Sequence, residues 1–147
     1  DIAKVAIENV KRNFEINQFK TEHSDIAADA FEFVENQITL KHKYDIVITD
    51  PPSFAPNEKS VPQATVAYTK IYSNSIRLVK ENGLFAASSC SSHIDTEAFL
   101  EITREAFSRA GKRGTLIRLG AQPSDHPYPL AMPELRYLKF ALFRVEG

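Results

Sequence analysis

The sequence predicts an α/β domain built on an open, mostly parallel sheet covered by helices. Three observations carry this. Tyr44 to Thr49 is a continuous β-branched apolar run, the composition of a strand covered on both faces. Leu84 to Ser88 is a second apolar run, and segments of helical periodicity lie before, between and after the two.

The elements follow in order. Ile2, Val5, Ala6, Val10 and Phe14 recur at three- and four-residue spacing, so residues 2 to about 15 read as an amphipathic helix opening just after Asp1. A short strand is expected near Glu22 to Ala27. Asp29 starts a second helix through Phe31, Phe33, Val34 and Ile38, which fades in the polar segment Leu40 to Lys43. After the Tyr44 to Thr49 strand comes a loop with four prolines between residues 51 and 62, then a long helix from about Pro62 to Lys80, stopped at Gly83. Leu84 to Ser88 is a strand, Asp95 or Thr96 to about Ala110 a helix closed by Gly111, and Thr115 to Leu119 a strand. The run Leu138 to Val145 is the closing strand.

Composition narrows the class without naming a function. The chain has 147 residues, 43% hydrophobic and 25% charged, which suits one globular domain with a real core. No apolar run approaches the roughly 20 residues of a membrane helix. The amino end has neither a signal-peptide pattern nor a methionine, so the chain reads as a fragment. One cysteine cannot close an intrachain disulfide, which makes a reducing, cytoplasmic setting the default. A net charge of −1 supplies no overall attraction for a polyanion, so nucleic-acid binding would need a local patch such as Lys41, His42 and Lys43, or Lys112 and Arg113. Four histidines and one cysteine show no zinc-ligand spacing.

In open α/β sheets, ligands sit at the carboxyl ends of the strands. Asp50, in Asp50-Pro51-Pro52, and Cys90, in Ser88-Ser89-Cys90-Ser91, both fall at such ends. The prolines stop the ladder because they cannot donate to it, and they hold the acid at a fixed edge. A plain turn after a buried strand accounts for the same residues.

Asp50 to Phe54 (DPPSF) and Ser89 to His93 (SCSSH) together resemble the class I S-adenosylmethionine-dependent methyltransferases, nearest to the bacterial family that makes 5-methylcytosine in large-subunit ribosomal RNA. Asp1 through Asn13 is similar to the family's acid after the second strand and the helix that follows it; Asp29 resembles the acid after the third strand. Ser124 to Pro127 and Pro133 to Lys139 resemble its carboxyl-terminal signature. The likeness runs in order along the whole chain. It implies a Rossmann-like methyltransferase sheet with an antiparallel closing strand, truncated at the amino end, so that residues 1–147 are the carboxyl-terminal part of the catalytic domain. The family's glycine-rich cofactor loop and an upstream RNA-binding domain would precede Asp1. Isolated residues 1–147 are therefore expected to bind cofactor poorly, which calorimetry showing micromolar affinity would refute. They would also carry unpaired strand edges open to self-association.

The resemblance implies specific chemistry. S-adenosyl-L-methionine is the cofactor, with Asp1 at its ribose hydroxyls, Asp29 near its adenine amine and Asp50 beside it. The substrate is RNA of the 23S type. Cys90 would be the nucleophile that adds to C6 of cytosine, and Asp50 would face the Watson–Crick edge of a flipped base. The Pro51 carbonyl would accept from the exocyclic amine, with Pro52 and Phe54 completing the base site. His93 and His126 are candidates for removing the C5 proton. The competing readings are a buried apolar thiol for Cys90, helix caps for Asp1 and Asp29, and simple packing for Phe54. A methyltransferase acting on an exocyclic amine or a guanine nitrogen would need no cysteine, and an inert interaction fragment remains a further alternative.

Overall fold

The computed structural model describes all residues 1–147. The chain runs α1 (Lys4–Ile16), α2 (Ala30–Thr39), β1 (Tyr44–Thr49), α3 (Val61–Arg77), β2 (Val79–Ser89), α4 (Thr96–Ala110), β3 (Arg113–Gly120) and β4 (Lys139–Glu146), with short 3-10 turns at Glu58–Ser60 and Pro133–Leu135. One four-stranded sheet has the order β1-β2-β4-β3. β1 and β2 are parallel, and β4 is antiparallel to both of its neighbours. Three strands therefore share one direction, and the closing strand is inserted between two of them rather than added at an edge.

The core lies between this sheet and helices α3 and α4. Phe85 of β2 is fully buried, with its ring 6.0 Å from those of Tyr72 and Phe107 and 6.4 Å from Phe143. Ile76, Phe99, Ile102 and Val145 complete the same cluster. Burying each large apolar side chain contributes about 1.5–3 kcal/mol, so this one layer dominates the stability. α4 is closed as its sequence predicts: Asp95 caps the first turn by accepting from Ala98, and Gly111 ends it with a left-handed φ of 66°.

Four expectations need correction. Residues 22–27 form no strand, although Ala28 donates to the Asp1 carbonyl at 3.0 Å and the Asp1 nitrogen to Ile26. α1 begins at Lys4 rather than just after Asp1, with Ala3 at its cap. α3 ends at Arg77, and Gly83 lies inside β2 instead of stopping the helix. The reason is local: a Cβ at Gly83 would lie 2.7 Å from Val79 and 2.8 Å from the Asp45 carbonyl, so the glycine serves a close approach between strands where the β1–β2 register shifts. Finally, β1 is not covered on both faces. It is an edge strand whose Ile46 and Ile48 are 55% and 71% exposed. No helix is long and apolar enough to cross a membrane.

Candidate active site

The parallel register sets the site. Thr49 pairs with Ala87, so Asp50 emerges beside Ser88, two residues before Cys90. The Ser88 hydroxyl donates to Asp50 Oδ1 at 2.5 Å, a short bond of the kind a carboxylate makes. This occupies one carboxyl oxygen and leaves the other open at an exposed strand tip. Cys90 is half-buried and free.

Below the two tips sits a buried hydroxyl network that neither strand could build alone. Ser91 is fully buried; its hydroxyl is 2.8 Å from the Tyr68 hydroxyl and 2.9 Å from that of Ser53. Ser89 donates to the same Tyr68 hydroxyl at 3.2 Å. The loop after β1 is thereby fastened to the turn after β2. Tyr72, one helical turn on from Tyr68, donates to the Ser88 carbonyl at 2.7 Å. Burial above all, then the charges of Tyr68, Asp50 and Cys90, drive the Tyr72 pKa upward, so its hydroxyl keeps its proton.

Removing the central hydroxyl tests this network. Tyr68→Phe leaves Ser89 and Ser91 short of a buried partner, and a loss of about 1–3 kcal/mol in urea denaturation is expected.

Asp1 and Asp29 lie close together along the fold. Asp29 caps α2, taking the Phe31 and Glu32 amides on Oδ1. Asp1 takes the Ala3 amide on Oδ1 and is tied to the segment before Asp29 through Ala28. In both residues Oδ2 accepts nothing from the chain, so each offers a fixed carboxylate oxygen to hydroxyl or amine donors. Two such acceptors suit the hydroxyl and amine donors of a nucleoside. The capping role of Asp29 is real and coexists with the free oxygen.

Other candidates are engaged elsewhere. Phe54 packs against Tyr68 at 4.8 Å and Phe31 at 6.2 Å, the packing alternative for that ring. Pro51 is half-buried and Pro52 exposed in the loop beside Asp50. His93 is exposed on the turn after Cys90, and His126 pairs with Asp125 at 3.3 Å on an exposed turn. Lys43 donates to the Arg77 carbonyl at the end of α3, and Lys112 lies 3.6 Å from Glu81. Sequence reasoning missed Ser53, Tyr68, Tyr72, Ser88, Ser91 and Lys139. The tyrosines at i and i+4 in α3 and the lone lysine opening an apolar strand were the available signals.

No family model matches the chain. A Methanocaldococcus jannaschii protein provisionally named a ribosomal RNA large subunit methyltransferase is 34% identical over 148 residues, covering 100% of this chain and 38% of that protein. Ribosomal RNA large subunit methyltransferase I of Shewanella amazonensis is 30% identical over 146 residues, covering 99% and 37%. The crystal structure of SMU.776, provisionally described as a methyltransferase and complexed with SAH, superposes with a TM-score of 0.78 at 27% identity, over 97% of this chain and 37% of that one. The chain thus has the Rossmann-like fold of the S-adenosylmethionine-dependent methyltransferases. It spans a little over a third of the length of these relatives.

Proposed function

We propose that this chain is the carboxyl-terminal part of the catalytic domain of an S-adenosylmethionine-dependent ribosomal RNA methyltransferase, and that the methylated atom is C5 of a cytosine in large-subunit RNA. The observation that supports it most is the pairing of Asp50 with Ser88, which sets an acid beside the strand tip that carries Cys90. The names of the relatives favour the RNA substrate, and Asp1 and Asp29 with their free Oδ2 atoms suit the ribose and adenine of the cofactor.

Bound S-adenosylmethionine supplies an electrophilic methyl group. The chain's part is to make C5 a nucleophile. Cys90, as thiolate, adds to C6 of a base that has left its stack; the ring's electron pair moves toward C5 and N3. Asp50, oriented by Ser88 and carrying a proton on its second oxygen, gives that proton to N3 as the thiolate adds, which offsets the charge driven into the ring, and takes it back when the C6–S bond breaks. C5 then takes the methyl group, loses its proton to a base, and the C6–S bond breaks to return the thiolate. The Pro51 carbonyl and the rim of the Pro51-Pro52 loop hold the amine edge.

Nucleoside mass spectrometry of large-subunit RNA methylated by the full-length protein tests the assignment. 5-Methylcytidine is the expected product. An N-methylated cytidine or guanosine would instead establish chemistry on a nitrogen lone pair. Absence of transfer by the full-length protein would leave only the interaction-module reading.

A further inference from the structure

The least expected side chain near the site is Lys139. It is the first residue of β4, paired in register with Ser89, and only 6% exposed. Its Nζ donates to the Ser91 carbonyl and to the Tyr137 carbonyl, each at 2.7 Å. Both acceptors are uncharged backbone groups. An ammonium has three N–H donors, so one remains unclaimed by the chain. A buried cation without a bonded counter-charge is costly, and an anion alongside it lowers that cost. The residue before its Ser91 contact is Cys90.

We propose that Lys139 is a positioning residue for Cys90: it clamps the turn that follows the cysteine and keeps a positive charge beside the sulfur, favouring the thiolate. This rests on the reading of Cys90 as the nucleophile. The titratable and charged groups of the neighbouring elements are Asp50, Tyr72, Lys139 and Asp95. Asp50, at the end of β1, accepts from Ser88, and Tyr72 of α3 stays protonated. Lys139 of β4 supplies the compensating charge, and the charge of Asp95, at the start of α4, acts on Lys139. Burial lowers the Lys139 pKa below the usual amine range; the charges of Cys90 and Asp95 push it back up. A thiolate and this ammonium therefore stabilise each other.

The test is the rate of iodoacetamide alkylation of Cys90 between pH 6 and pH 10, read by peptide mass spectrometry in the full-length protein without RNA or cofactor. Lys139→Met is expected to slow alkylation about tenfold at pH 7. The deficit should vanish at the alkaline end, where the thiol ionises without help. Lys139→Arg should keep most of the wild-type rate at pH 7. A merely structural role would slow alkylation equally at all pH values, and that result, or superimposable profiles, overturns the proposal. If Lys139→Met does not fold, Asp95→Asn reads the same field with the opposite sign, since asparagine also caps α4. Alkylation at pH 7 should then rise about twofold, and an unchanged rate overturns the proposal. Because this readout needs no methyl transfer, it stands or falls separately from the identity of the methylated atom.

Discussion

Cys90→Ala is expected to reduce methyl transfer by the full-length protein at least about a thousandfold, which corresponds to about 4 kcal/mol of lost transition-state stabilisation. The physical reason lies in the substrate atom. C5 of cytosine has no lone pair to offer, and only addition at C6 gives it carbanion character. Neither Ser88 nor Ser91 can replace the sulfur. Ser91 is fully buried, with its hydroxyl taken up by Tyr68 and Ser53, while the Ser88 hydroxyl is committed to Asp50. The substitution should leave stability nearly unchanged, because Cys90 is outside the buried cluster around Phe85 and Tyr72. Radiolabelled transfer measured alongside a denaturation curve separates the two effects. Transfer within tenfold of wild type would place the chemistry on a nitrogen atom, where no covalent adduct is needed.

Asp50→Asn is expected to lower the transfer rate by about 10² to 10⁴, the range seen when a positioned proton-transfer group is lost. The substitution is nearly isosteric, and its amide oxygen can still accept from Ser88, so the strand tip keeps its geometry. What disappears is the ability to carry or deliver a proton at N3. The defect should therefore appear in single-turnover rates, while RNA affinity changes little. If Asp50 only ended a strand at a turn, the rate would fall less than tenfold.

The strand ends were legible because they depend on local rules. Pro51 and Pro52 cannot extend a ladder, and the β-branched run from Tyr44 to Thr49 cannot be mistaken for a helix. Asp50 and Cys90 followed from that, once the sheet class was known. The hidden part was everything fixed by register. Ser88 reaches Asp50 only because Thr49 pairs with Ala87, and that pairing depends on the bulge between Tyr44 and Ile46 and on the close approach at Gly83. In sequence, Gly83 looked like a helix stop; in three dimensions it admits the Asp45 carbonyl. The apolar look of Ile46 and Ile48 likewise predicted cover on both sides, yet Val47 and Thr49 take the core-facing positions and the face carrying Ile46 and Ile48 stays open. Lys139 was hidden for a different reason: a basic residue at the head of an apolar strand ordinarily reaches water, and only the contacts with Ser91 and Tyr137 show that this one does not.

The central claim is that the sulfur of Cys90 bonds to C6 of a cytosine held against Asp50. Incubating the full-length protein and cofactor with RNA containing 5-fluorocytosine tests it most directly, since fluorine at C5 blocks the proton loss that releases the enzyme. A methylated, covalent protein–RNA adduct whose bond maps to the Cys90 peptide is the predicted result. Methylated RNA released with no adduct, or an adduct mapped to any other residue, would contradict it.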